Sequence, residues 1–212
     1  MNDFRSREDL QFFGRICASV SHDLKNVLAV VNEGAGLLSD LSLMAEKGMP
    51  LDPAKLRSVA GSIQAQIRRG DEIIKGLNTF AHSVDEPVSS VNLAEVVSLV
   101  VSLAARLARA RNVSLEVGAC DEVFVRIDVY ALEYLLHGMV THALAHAEDG
   151  GVLTFSCSSP GGGSMATLTG AGLGTGAELP GELTALAGEQ DVVLAADAGT
   201  KTLELVIGKE MK

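Results

Sequence analysis

Between residues 10 and 41 the apolar positions of the chain step by threes and fours: Leu10, Phe13, Cys17, Val20, Leu24, Val27, Val31, Gly34, Leu38 and Leu41. A seam that repeats every 3.5 residues belongs to a helix burying one stripe against another helix. The pattern breaks at Gly48, Pro50 and Pro53. It resumes at Leu56, Ala60, Ile63, Ile67, Gly70, Ile74, Leu77 and Ala81, again with steps of four and three. Asp52 suits the cap of this second helix and Pro53 its first position. Residues 1–86 are therefore expected to form an all-α helical hairpin. A lone hairpin has little to bury its seams against. Pairing two hairpins into a dimeric four-helix bundle solves this, so a homodimer is expected.

The pattern changes after "SVDEPVSS" (83–90), which reads as a linker. "NLAEVVSLVVSLAARLARARN" reads as a helix with Asn92 as its cap and Asn112 near its end. "VSLEVGA" and "EVFVRI" read as short strands, and "DVYALEYLLHGMVTHALAHA" as an apolar helix. "VLTFSCSS", "SMATLTG", "DVVLAAD" and "TLELVIG" have strand-like content and are separated by Gly-rich turns, "PGGGS" (160–164) among them. Residues 87–212 are thus expected to be a small α+β domain, with helices on one face of a mostly antiparallel sheet.

Composition narrows the function more than the fold. Lys and Arg total 17 against 27 Asp and Glu, a formal net charge of −10, which argues against nucleic acid as a partner. Cys17, Cys120 and Cys157 form no metal or redox motif and read as buried thiols in a reducing compartment. The first residues carry no apolar stretch of signal-peptide length and no continuous apolar run reaches 18 residues, so a cytoplasmic protein without a membrane segment is expected.

One stretch of the first helix does not fit a plain surface. In "SVSHDLKNVLAV" (19–30), Val20 and Leu24 take heptad positions d and a. That puts His22 at f, furthest from the seam, with Asp23 at g, Lys25 at b and Asn26 at c. A core histidine would sit at a or d; this one should face water. An exposed imidazole beside a carboxylate is an arrangement that holds the ring tautomer and raises the nucleophilicity of one nitrogen.

"SHDLKN" resembles the H-box of bacterial histidine kinases, which carries the phosphoacceptor histidine on the first helix of a dimeric hairpin. The hairpin itself and "VNLAEVVSLVVSLAARLARARNVSLEV" are similar to that family too. The resemblance covers residues 10–117 well and the rest less closely, and Val27 stands where many relatives have a kinking proline. It implies that His22 accepts a phosphoryl group, that Asp23 is the adjacent acid/base, and that Lys25 lies beside the phosphate. It further implies that Asn26 positions a water for dephosphorylating a partner.

The same resemblance implies a GHKL-type ATPase-like domain after the hairpin, with an N-x-x-x-N-A motif on its apolar helix. The matching stretch is "HGMVTHALAHA" (137–147). Ala143 fits, but Gly138 and His142 stand where the two asparagines belong. The nearest match to the adenine-reading D-x-G-x-G is "TGAGLGTG" (169–176), which has glycines at 170, 172, 174 and 176 and no aspartate; it reads as a flexible turn. The 65 residues after Ala147 are few for the usual strands plus an ATP lid. His142 and His146 have helical metal-ligand spacing, with His137 earlier, but lack a third ligand, so no metal site is expected.

The expected protein is a phosphorelay histidine phosphotransferase that binds no cofactor. It passes a phosphoryl group through His22 between the receiver domains of response regulators, whose own sites supply Mg²⁺. A histidine kinase is a further candidate partner. Two alternatives stay open: a divergent histidine kinase that still binds ATP, and a non-enzymatic scaffold or inhibitor docking on a kinase or receiver.

Overall fold

The computed structural model describes residues 7–86, 88–160, 163–170, 179–197 and 199–208. They fall into two compact units, Ser6–Asn78 and Thr79–Lys212.

The first unit is a hairpin of α1 (Arg7–Glu46) and most of α2 (Pro53–His82). The turn between them follows from local chemistry. Gly48 has φ of +82°, a conformation that costs a residue without Cβ little. Asp52 Oδ1 then accepts from Ala54 N at 2.8 Å, capping α2 beside Pro53. Two glycines set how closely the helices approach. A Cβ on Gly34 would lie 2.7 Å from Ile63 Cγ1, and one on Gly70 would lie 3.3 Å from Val27 Cγ1.

The single apolar stripe expected on α2 is two stripes. Leu56, Val59, Ile63, Gly70, Ile73 and Leu77 are buried or half-buried, whereas Ala60, Ile67 and Ile74 form an exposed row at seven-residue spacing. On α1, Phe12 and Ile16 are buried where the sequence pattern favoured Phe13 and Cys17. Adjacent apolar positions at heptad spacing serve two faces of one helix, and periodicity alone does not separate them. By length and composition α1 would also pass as a membrane span, with a mean hydropathy of 1.3 in its best window. It nonetheless carries Asn32, Glu33 and Asp40 between its apolar positions and packs on α2.

In the second unit, β1 (Ser89–Asn92) and β3 (Phe124–Ile127) form an antiparallel ribbon. The expected linker therefore runs directly into a strand. The main sheet has the order β2 (Ser114–Cys120), β4 (Val152–Ser158), β5 (Ser164–Gly170), β7 (Thr202–Ile207), β6 (Val192–Asp197). Only β2 and β4 run parallel, so the sheet is mostly antiparallel.

Phe155, Leu168 and Leu203 are register neighbours across the sheet, each at most 1% exposed. Against this face pack α3 (Leu93–Ala110), capped by Asn92, and α4 (Val129–His146), capped by Asp128. A further helix, α5 (Gly181–Glu189), lies in a stretch that carried no helix expectation. Gly170, which ends the strand-like stretch "SMATLTG" and begins the glycine run read as a turn, is the last residue of β5, where a Cβ would collide with Leu153. The glycines at 172, 174 and 176 lie outside the described residues.

Candidate functional site

Helical geometry alone assembles the group around His22. Residues four apart on a helix face one another, and Asn26 Nδ2 lies 3.3 Å from His22 Nδ1. Asp23 Oδ1 lies 3.8 Å from the same nitrogen. The His22 side chain is 53% exposed and that of Asp23 15%, while Lys25 and Asn26 are exposed. The structure thus brings His22, Asp23 and Asn26 together on an open face of α1, and Lys25 is their exposed neighbour in sequence.

The chemistry of the ring follows from these two contacts. Both involve Nδ1, and Nε2 takes part in neither. With the proton on Nδ1 facing the Asp23 carboxylate, Nε2 carries a free lone pair pointing away from both neighbours. Asn26 acts in the opposite sense as oriented here, because an amide Nδ2 donates to an unprotonated Nδ1. Turned over, its Oδ1 would accept from Nδ1–H instead; nitrogen and oxygen are interchanged by a half-turn of the amide. Asp23 thus favours the Nδ1–H tautomer, and Asn26 favours it or opposes it according to which way its amide is turned.

Within the second unit, the positions where the resemblance would put nucleotide-binding asparagines are shaped for something else. A Cβ on Gly138 would lie 2.5 Å from Leu183 Cδ2 and 2.7 Å from its Cδ1. Leu183 belongs to α5 and is 3% exposed, so this helix plugs its side chain onto α4 where the first asparagine would stand. His142 has its pKa lowered by burial and by His146. Their rings are 4.7 Å apart, and His146 Nδ1 donates to the His142 carbonyl at 2.9 Å. A neutral imidazole paired this way offers no carboxamide oxygen to Mg²⁺. His137 is buried, its Nδ1 3.4 Å from Thr141 Oγ1. Among the described residues no group of three or more His, Cys, Asp or Glu side chains could hold a metal ion.

One titratable residue was not singled out from the sequence. Glu133 on α4 is 1% exposed, and burial pushes its carboxyl up to about 8, with Asp128 adding to the rise against the contact with Ser83. Ser83 Oγ lies 2.7 Å from Glu133 Oε2 and 2.8 Å from the Phe80 carbonyl. One hydroxyl proton cannot serve both oxygens. A protonated Glu133 resolves this by donating to Ser83 Oγ, which donates in turn to Phe80 O. Phe80 is fully buried, with its ring centroid 5.9 Å from that of Tyr130. The last turn of α2 is thus fastened to α4 by an aromatic contact and a proton chain. Only a lone acid inside the apolar run "ALEYLLHGMV" hinted at it.

No family model and no curated protein matches the chain. Among solved structures, the nucleotide-free catalytic domain of the histidine kinase ThkA is similar over 58% of this chain and 98% of its own, with a TM-score of 0.50 and 14% identity. The Acinetobacter baumannii histidine kinase AdeS is similar over 84% of this chain and 95% of its own, with a TM-score of 0.50 and 12% identity. A structure described as a bacterial phosphotransferase aligns over 97% of this chain at a TM-score of 0.47 and 13% identity, too distant to bear on function. At these identities the likeness is one of fold: the chain has a histidine kinase-like fold, helices followed by a small α+β domain.

Proposed function

We propose that this protein is a phosphorelay histidine phosphotransferase acting through His22, without ATP. The observation that carries the proposal is the exposed His22 ring, with Asp23 and Asn26 both on its Nδ1 side. Nε2 attacks the phosphorus of a receiver's aspartyl phosphate in line; the N–P bond forms, the P–O bond breaks, and the receiver's carboxylate leaves. The reverse step on a second receiver returns the phosphoryl group to an aspartate. Asp23 holds the proton on Nδ1 and balances the charge of the imidazolium phosphate, and Lys25 offsets the phosphoryl charge. Asn26, turned so that its Oδ1 accepts from Nδ1–H, supports the same tautomer and leaves its Nδ2 to position a water for hydrolysis of receiver phosphate. The receiver brings Mg²⁺ and most of the charge neutralisation, so the histidine carrier needs little beyond a nucleophile in line. The exposed apolar row Ala60, Ile67 and Ile74 supports a homodimer, and the acidic composition weighs against a nucleic-acid partner.

A divergent histidine kinase is the second candidate, favoured by the fold of its structural neighbours. Leu183 over Gly138, and His142 in place of the second asparagine, weigh against it. A scaffold or inhibitor docking on a kinase or receiver would not need the His22–Asp23–Asn26 group. The test is incubation with a receiver domain carrying labelled aspartyl phosphate. Acid-labile label is expected on His22 and absent from His22→Ala; label that persists in that variant would refute the assignment.

A further inference from the structure

The three cysteines have no motif spacing, yet the fold places two of them side by side. Val117 on β2 pairs with Phe155 on β4, and regular pairing would then set Ala119 opposite Cys157. A bulge between Val117 and Cys120 inserts one residue, so the partner of Cys157 is Cys120. One extra residue flips the side-chain alternation, which turns Cys120 to the face that Cys157 occupies. Gly118 permits the close approach, since a Cβ there would lie 2.8 Å from Thr154 Cγ2. The result is an Sγ–Sγ distance of 2.8 Å, with Cys120 Sγ–H donating to Cys157 Sγ. The strand end is held by Asp121 N donating to Cys157 O at 3.0 Å.

We propose that Cys120 and Cys157 are a reversible dithiol–disulfide pair, oxidised by hydrogen peroxide and restored by a small thiol. Their accessibility divides the roles. Cys120 is partly exposed at the end of the edge strand, while Cys157 is buried, 3% exposed. Burial, and then the neighbouring Cys120, hold the Cys157 thiol in its protonated form. Cys120, having given its proton to solvent, attacks one peroxide oxygen as the thiolate; the O–O bond breaks and the departing hydroxide takes a proton from solvent to become water, leaving a sulfenic acid. The Cys157 sulfur then attacks the Cys120 sulfur; the S–S bond forms, the S–O bond breaks, and the departing hydroxide takes the Cys157 proton as a second water. Two thiols lose two electrons and one peroxide gains them. Two equivalents of a small thiol reverse the change by exchange. The pair lies in the second unit, and the inference stands apart from the phosphotransfer proposal.

The whole protein, reduced and desalted, is treated with graded hydrogen peroxide, unfolded, blocked with a maleimide and digested for mass spectrometry. Two of the three thiols should escape blocking and reappear after dithiothreitol. A peptide pair linking Cys120 to Cys157, two hydrogens lighter, should be found with Cys17 still blocked. Cys157→Ala should stop at a Cys120 sulfenic acid trapped by dimedone. If that variant does not fold, Cys120→Ser at the strand edge should leave Cys157 fully blocked at the same peroxide dose. Full blocking of Cys120 and Cys157 in the oxidised wild type would overturn the proposal. So would oxidation that halts on Cys120 without a link, or a link through Cys17.

Discussion

The hairpin and the α+β unit meet very different demands at their candidate sites. On α1, phosphoryl chemistry needs one exposed imidazole and a carboxylate to hold it, and His22 and Asp23 provide both on a single helical turn. In the α+β unit, nucleotide chemistry would need several side chains from separate elements, and Gly138 and His142 stand where the resemblance implies asparagines. A site on one turn of helix survives whatever happens elsewhere in the fold. A site spread over α4, α5 and the sheet can be lost while every one of those elements still packs. The second unit has a closed core, Phe155, Leu168 and Leu203 included, and Leu183 packs over Gly138.

The largest effect that would sharpen this contrast concerns the two apolar stripes of the hairpin. Val27 is 4% exposed against Gly70, so Val27→Asp buries a charge without a partner and should unfold the hairpin, costing about 4 kcal/mol or more. Ile67 is 57% exposed, so Ile67→Asp should leave each chain helical by circular dichroism yet shift light scattering from dimer to monomer. A wild type that is monomeric at micromolar concentration would contradict the dimer.

Next in size is the pH dependence set by Glu133. Its folded pKa is raised to about 8 from an ordinary 4.5. Between those values the unfolded chain has lost a proton that the folded chain keeps, so stability falls as pH rises. The loss should total on the order of a few kcal/mol by pH 8 and level off above it. Glu133→Gln keeps a donor for Ser83 and removes the titration. Urea melts across that range should be flatter for the variant, which should be the more stable protein at pH 8. Parallel slopes for the two proteins would mean that Glu133 is ionised in the fold.

Gly138→Asn tests whether the second unit can be returned to nucleotide binding by one residue. The new side chain meets Leu183, so the variant should lose about 1–3 kcal/mol. By calorimetry it should bind ATP no better than the wild type, whose affinity is expected to be millimolar at best. Micromolar binding by either protein would erase the difference between the units. Smallest in energy are changes around His22. Asp23→Asn should slow transfer in both directions with dimer and melting temperature unchanged. Asn26→Ala should reduce hydrolysis of receiver phosphate more than it reduces transfer to His22, as followed by loss of label from each protein.

Much of this was legible in the sequence where periodicity or residue type acts locally. The two long helices follow from their heptads, the caps at Asp52 and Asn92 from side-chain type, and the exposure of His22 from its place in the register. What stayed hidden depends on partners distant in sequence. β1 is four residues, Ser-Ser-Val-Asn, with little strand preference of their own, and exists because β3 pairs with it. α5 is nine residues next to a glycine-rich stretch, and its only helical signal is the buried pair Leu183 and Ala187, four apart. The Cys120–Cys157 contact depends on one bulged residue that no spacing rule shows. Glu133 looked like any acid in an apolar run until its burial against Ser83 was seen.

The most direct test of the contrast splits one wild-type sample between two phosphoryl sources. One half receives γ-labelled ATP with Mg²⁺, the other a receiver domain labelled on its aspartate, with His22→Ala run beside each. Label should reach His22 from the receiver alone, and His22→Ala should melt within about 0.5 kcal/mol of wild type while taking none. Label on the protein from ATP, or none from any receiver tested with the folded wild type, would contradict a histidine carrier that works without nucleotide.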